Sequence, residues 1–359
     1  MPRILRLIAL LVCAASASAF AAENQAEQTL VYPCRPAAGP IVIDGRLDPA
    51  EWAGAIEVSA FRISGSEKLA PEQVVMRLLY DRQNLYVGVK CIESEMKKIK
   101  ASVNEKDGPF WTDDAVEFFL DPKHDHETIW QFAATAGAAQ YDSYKGDSLW
   151  NSDWKCAVQR GPDSWTVEAS VPFADLKVEP PAPGALWGFN LCREREAGGS
   201  LELYNWADVQ RVFNRAQLFG HLRFVAADWK ASEASAVAAT QDAGGKESIV
   251  YVEDGYWRVK PGGAPERLSY RALLRAHDQG AAPFIEELRG IYQNNPKMTL
   301  REEFELLVNR YDQVKELVAG DGPISVEDWV RATAFVDGLR EKVETICWRV
   351  RLVQLNETF

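Results

Sequence analysis

The nine residues "SWTVEASVP" (164–172) alternate without a break: Trp165, Val167, Ala169 and Val171 fall on one side, and Thr166, Glu168 and Ser170 on the other. Successive side chains of an extended chain point to opposite faces, so the pattern predicts a half-buried β-strand. The turn "GPDS" (161–164) separates it from "DWKCAVQR" (153–160). Working outward, more β-prone runs appear. "QVVMRLLY" (73–80) and "NLYVGVKCI" (84–92) are joined by "DRQ" as a hairpin, and "AVEFFLD" (115–121), "TIWQFAAT" (128–135), "AQYDSY" (139–144), "LWGFNLCRER" (186–195) and "FGHLRFV" (219–225) follow. Many short strands punctuated by Gly, Pro, Asn and Asp, from about residue 30 to 226, predict an antiparallel, jelly-roll-like β-sandwich.

Composition changes at 227–248, which is small, polar and rich in Ala and Ser. This stretch is read as a linker, part of it with helical character. "SIVYVEDGYWRV" (248–259) is a hairpin with "DG" at its tip. Four helical stretches complete 249–359: "RLSYRALLRAHDQ", "APFIEELRGIYQN", "TLREEFELLVNRYDQVKELVAG" and "SVEDWVRATAFVDGLREKVETICWRVRLVQLNE". Thr299 with Glu302, and Ser325 with Asp328, mark helix starts, and Gly320 marks a stop. A small antiparallel helical bundle is expected, and no solenoid repeat is visible.

At the other end, Arg3 and Arg6 precede the apolar run "LIALLVCAASASAF" (7–20) and an Ala-rich site. The run is too short to span a bilayer and reads as a secretory signal peptide, residues 1–22. Cys13 follows "LLV" where a lipid-anchored chain normally has a small residue, so a secreted or periplasmic protein is preferred to a lipoprotein. The chain of 359 residues has a formal charge of -12, or -14 once a segment holding two Arg and no acid is removed. Such a surface repels nucleic acid. Cys34, Cys91, Cys156, Cys192 and Cys347 remain, enough for two disulfides in an exported chain, with their connectivity open. Their spacing holds no CxxC pair for structural zinc.

Taken in order, "IVIDGRLDPAEW" (41–52), "LLYDRQNLYVGV" (78–89), "PFWTDDAVEFFLD" (109–121), "WQF" (130–132), "SWTVEASVPF" (164–173), "WGFNLCRER" (187–195) and "NWADVQRVFNRAQLFGHLRF" (205–224) form a series. In that series the β region resembles a carbohydrate-binding module of family 9, a sandwich appended to secreted xylanases and found in many exported bacterial proteins. The resemblance covers neither the linker nor the helices. It implies recognition of polysaccharide chains or chain ends by aromatic stacking, in the service of polysaccharide degradation. Sugar rings expose apolar C–H patches that aromatic faces cover, while polar neighbours bind the hydroxyls.

By that resemblance Trp111 is the first stacking residue, Phe213 the second by alignment on the closing "FG", and Glu117 the acid that accepts from hydroxyls. The sugar-binding pattern has a basic residue and an amide after "QF", where this chain has Ala133 and Thr135. Hydrogen bonds to charged groups contribute about 1.5–3 kcal/mol each, so the fold transfers more safely than the ligand. Asp113 and Asp114 at the strand entry either cap turns or bind Ca²⁺, which family members hold structurally. "DPKHDHE" (121–127) gathers Asp121, His124, Asp125, His126 and Glu127 and is read as a solvated turn rather than a metal site.

No GxSxG, HExxH, P-loop or dinucleotide fingerprint is present, and paired acids such as Asp114 and Glu117 need geometry before they mean a glycosidase. The preferred reading is a non-catalytic carbohydrate-binding protein whose helical end binds a protein partner or spaces the module. Two rivals stay open: a scaffold whose sandwich has lost its sugar, and a haem-binding domain using Met76 or Met96 with a His.

Overall fold

The alternating stretch 164–172 is a strand, but neither of its faces meets solvent along most of its length. In this computed structural model, which describes residues 28–210, 212–294 and 300–356, Glu168 and Ser170 are buried as well as Trp165, Val167, Ala169 and Val171. The polar face is covered by the loop 41–52. The Glu168 carboxylate accepts hydrogen bonds from the Asp44 amide (3.0 Å), the Gly45 amide (2.9 Å) and Trp52 Nε1 (2.8 Å). Gly88 lies directly opposite Glu168, and a Cβ there would come within 2.9 Å of the Trp52 ring. The half-buried expectation is therefore corrected: the alternation is real, but the loop that carries "IDGRLDPAEW" turns the polar face into a second interior.

The strands are β1 (Gln28–Pro36), β2 (Arg62–Ile63), β3 (Val74–Tyr80), β4 (Asn84–Ile92), β5 (Ala115–Asp121), β6 (Trp130–Thr135), β7 (Gln140–Tyr144), β8 (Lys155–Arg160), β9 (Ser164–Pro172), β10 (Leu186–Arg195), β11 (Glu202–Asn205) and β12 (Gly220–Phe224). One layer runs β7-β6-β5-β10-β12-β1 and the other β3-β4-β9-β8, with β1 belonging to both. Its Val31–Cys34 pair with β12, while Arg35 and Pro36 pair with β3. The result is a β-sandwich whose core holds Val116, Phe118, Leu120, Phe132, Trp165, Val167, Trp187, Phe189 and Leu191. Strand β1, one residue type after another buried from Val31 to Cys34, has no clean alternation because it lies between sheets.

The sheet continues past residue 226. Within the Ala/Ser-rich segment, Glu233–Asp242 form a helix, α1, capped by Ser232 and Ser235. The small side chains of Ala236 and Ala239 let it pack against Val31, Val250 and Val259. Strand β13 (Glu247–Val252) pairs parallel with β1 and antiparallel with β14 (Gly255–Val259), to which β15 (Glu266–Ser269) adds. The "DG" hairpin is thus an extension of the sandwich.

The helical region comprises α2 (Tyr270–Asn294), α3 (Arg301–Ala319), α4 (Val326–Asp337) and α5 (Leu339–Asn356), with α2 packed against the other three. Two expected helices merge into α2, which passes through Pro283, and one expected helix is divided between α4 and α5 at Gly338. The merged helix tolerates Pro283 because its Leu274, Ala281, Ile285 and Leu288 share one buried stripe. Ser325 caps α4 by accepting from the Asp328 amide, and Gly320 follows α3. Residues 1–22 and Thr299 lie outside the described residues. Val75 joins the helical core with Tyr270, and Lys90 pairs with Glu327 at 2.8 Å, so the bundle sits on the β3–β4 face.

Cys34, Cys91, Cys156 and Cys192 are free thiols, and three of them are buried in the sandwich. The two disulfides open to an exported chain are not made by these four. Burial pushes the Cys91 and Cys156 thiols up to about 12, which leaves them unreactive.

Two outcomes are expected. Replacing Glu168 with Ala leaves three buried donors without an acceptor and should destabilise by about 2–4 kcal/mol in denaturant unfolding, whereas Glu168→Gln should lose less. His221 packs edge-on against His124 with ring centroids 4.6 Å apart, and burial followed by the neighbouring His124 and His126 brings its pKa down to about 4. Because the unfolded imidazole titrates near 6.5, unfolding takes up a proton below that value, and stability falls as pH is lowered from about 6.5 to 4. His221→Gln should remove up to about 3 kcal/mol of that acid-side loss, read from unfolding curves at pH 7.5 and 4.5.

Candidate functional site

Residues directly opposite in neighbouring antiparallel strands share a face. Across the outer face of the first layer one such row reads Tyr141, Ala133, Glu117, Cys192, Asn205 and Arg62, from β7 through β6, β5, β10 and β11 to β2. Val116, Phe118 and Leu120 point the other way, into the core. Two aromatic groups flank the row. On one side Phe110 packs on Ala115, Ala133 and Tyr141, and carries Trp111 edge-to-face at 5.4 Å. On the other side Phe213 packs half-buried with Phe119, Cys192 and Val209.

Trp111 lies in a single 3₁₀ turn, Phe110–Thr112, that "GP" introduces. The residue is 54% exposed, so it is not part of the core. The turn is held by the two acids after it. Asp113 accepts from Ser102 N, Ser102 Oγ and Val103 N at 2.6–2.7 Å. Asp114 accepts from Lys100 N (2.9 Å), Glu196 N (3.1 Å) and Ala197 N (3.3 Å). Both carboxylates are thereby committed to backbone amides. Of the two roles the sequence leaves open, turn capping is the one seen, and no group of three or more His, Cys, Asp or Glu placed to hold a metal ion occurs among the described residues.

In "DPKHDHE", Asp121 accepts from His126 N (2.8 Å) and Asp125 N (3.2 Å), and Asp125 from Glu127 N, Thr128 N and Thr128 Oγ1. The loop is a self-bonded turn. Met76 is in the core and Met96 packs against it.

Phe213 is carried by the loop after Trp206, and Asn190 is what anchors that loop. Its amide donates to the Ala207 carbonyl (3.1 Å) and accepts from the Ala207 amide (2.9 Å).

Between the flanks lies a buried acid pair. Glu117 is 4% exposed and accepts from Gln131 Nε2 at 2.5 Å, while Gln131 accepts from Ser143 Oγ at 3.2 Å. Glu194, two residues from Cys192 on the same face, is equally buried. Burial and then the Glu117 charge push the Glu194 carboxyl well above the usual carboxylate range, and its Oε2 is buried without a hydrogen-bond partner. Burial also raises Glu117.

The departures at Ala133 and Thr135 now have a structural reading. Ala133 faces Glu117 with a methyl group where the sugar-binding pattern has a base, and Thr135 Oγ1 accepts from Gly137 N and Ala139 N in a turn. Next in the row, Asn205 is fully buried, and neither its amide nitrogen nor its oxygen has a hydrogen-bond partner.

The sequence profile described as carbohydrate family 9 binding domain-like matches residues 43–227, more than half of the chain. The chain belongs to that family. Among solved structures, the family 9 module resembles a carbohydrate-binding module of Caldicellulosiruptor kristjanssonii in complex with cellotriose, at 20% identity and a TM-score of 0.44 over 57% of this chain and 96% of that one. The same organism's module in complex with glucose matches at 19% identity and a TM-score of 0.41, over 55% of this chain and 96% of that one. No curated protein matches the sequence.

Glu194 and Asn205 are absent from the residues that sequence reasoning singled out. Glu194 was available from alternation in "WGFNLCRER", since it shares a face with Cys192. Asn205 carried no such signal, because only its burial without a partner marks it.

One outcome follows from the acid pair. A carboxyl whose folded pKa is raised contributes stability at low pH that is lost as pH rises through that pKa. Glu194→Gln in the family 9 module should therefore flatten the decline in stability above pH 5, measured by denaturant titration at pH 5, 7 and 9.

Proposed function

We propose that this is an exported, non-catalytic protein that binds glycan chains or chain ends on the outer face of the sandwich. Trp111 and Phe213 cover the ring faces, and Glu117 and Asn205 meet the hydroxyls. Family membership supports the carbohydrate class. The single observation that carries the site is Asn205: a buried amide with both ends unpaired, in one row with Glu117 and between two aromatic flanks. An unmet buried donor or acceptor costs about 1–3 kcal/mol, and a vicinal pair of sugar hydroxyls offers both a donor and an acceptor to an amide. Export rests on the character of residues 1–22.

Binding is favoured over glycoside hydrolysis for a geometric reason. Retaining glycosidases hold their carboxyls about 5–5.5 Å apart with the scissile bond between them, and inverting ones hold them further apart. Glu117 and Glu194 are each only 4% exposed, and Asp114 is engaged with amides, so these carboxyls do not stand open on the two sides of a cleft. A buried acid floor without a base suits hydroxyl-rich ligands that donate hydrogen bonds to it.

The test is a binding screen of residues 23–359 against soluble glycans, cellotriose among them, and insoluble polysaccharides. Trp111→Ala should weaken binding at least tenfold, and Asn205→Leu should do so with little loss of fold. Unchanged affinity in Trp111→Ala would refute the site. No binding to any glycan by the unaltered protein would favour the scaffold reading.

A further inference from the structure

A second cavity opens at Arg62, the last residue of the row of Glu117, where the sandwich, the hairpin and the helical bundle meet. Its volume is about 410 Å³, within the range of about 300–1,000 Å³ common for small-molecule sites. Trp206 and Phe219 line it from the sandwich, Tyr251 and Tyr256 from the hairpin, and Trp329 and Thr333 from α4. These walls offer flat aromatic faces of the kind that cover sugar or other ring faces.

Two polar atoms in this wall lack partners. Trp329 is 6% exposed and Thr333 1%, and neither Trp329 Nε1 nor Thr333 Oγ1 has a hydrogen-bond partner. They stand four residues apart on α4, one turn above the other on the same side. The indole is held in place by stacking on Tyr270, with ring centroids 4.4 Å apart. Each unpaired buried donor is unfavourable by about 1–3 kcal/mol, so an acceptor placed between them recovers that loss.

Charge at the rim points the same way. Arg62 and Lys246 line the cavity, and neither takes part in any ion pair given for the described residues, although the chain as a whole is at -12. Arg62 donates to the Glu67 carbonyl. The acids nearby are largely engaged. Asp337 holds His277 at 2.7 Å, Asp208 accepts from Gln210 N at 2.9 Å, and the third rim cation, Arg258, holds Glu266; Glu67 also lines the rim. Indole and hydroxyl donors buried in the wall, with Arg62 and Lys246 at the mouth beside Glu67 and Asp208, suit a ligand rich in acceptors whose negative charge is placed at the two cations.

We propose that this cavity is a second ligand site, for an acidic sugar whose ring stacks on the aromatic wall and whose carboxylate meets Arg62 and Lys246. It shares only Arg62 with the row of the glycan face, its aromatic wall and α4 donors lie outside that row, and it stands whether or not that face binds.

The experiment uses residues 23–359 with glucuronic acid and digalacturonic acid as probes, and glucose and cellotriose as neutral controls, followed by calorimetry and by the shift in melting temperature. The acidic probes should bind with an affinity that falls as salt is raised. Trp329→Phe, which keeps an aromatic ring against Tyr270 and removes the donor, should weaken binding about tenfold. Arg62→Gln should do the same, and Trp111→Ala should leave it unchanged. Thr333→Val serves as a second donor deletion should Trp329→Phe fail to fold. The proposal is overturned by absence of binding to either acidic probe, by binding that both donor deletions leave intact, or by loss of binding in Trp111→Ala. Equal binding of glucose that ignores Arg62→Gln also overturns it.

Discussion

Arg193 and Arg195 reach across the sandwich to one carboxylate, and the rest of the molecule depends on that clasp. Glu93, just beyond the end of β4, accepts from Arg193 Nη2 (2.8 Å) and from Arg195 Nε (2.7 Å) and Nη2 (2.8 Å), and all three side chains are buried. Removing one member of such a buried group strands an uncompensated charge, at a loss of about 3–5 kcal/mol. The consequence is positional. The inward residues of β10 are locked against the opposite layer, so its outward residues, Asn190, Cys192 and Glu194, are locked too. Asn190 then anchors the loop of Phe213, and Glu194 is held buried close enough to Glu117 for the two charges to interact.

The outer face shows how one missing charge reorganises its neighbours. With alanine at 133, Glu117 faces no cation, and a buried carboxylate without one is strongly disfavoured. Glu194 resolves this by staying protonated. With Glu194 protonated, the two buried carboxyls carry one negative charge at most, where a base and an acid would have made an ion pair.

The C-terminal part is built onto the sandwich. Strand β13 pairs with the same strand, β1, that ties the two layers together, and Tyr270 begins α2 directly after β15. The Tyr270 amide donates to the Asp254 carbonyl at the hairpin tip (2.8 Å), and its ring lies in the helical core beside Val75 of β3. This continuity is what encloses the second cavity, since its walls come from all three parts.

Alternation in "SWTVEASVP", "AVEFFLD" and "WGFNLCRER" determined the sandwich strands and the side of each to which Glu117 belongs, because a period of two is a local property of extended chain. Glycine, proline and the caps at Ser325 and Gly320 determined where several elements begin and end, for the same local reason. The tertiary structure alone decided that Glu168 is interior, since its cover comes from residues more than a hundred positions earlier. It alone decided that Glu194 is buried beside Glu117, that Asn205 is left without a partner, that the hairpin joins the sheet and that α1 packs on it. Each of these depends on which distant residue arrives opposite, and pairing between remote segments leaves no trace in the periodicity of either one.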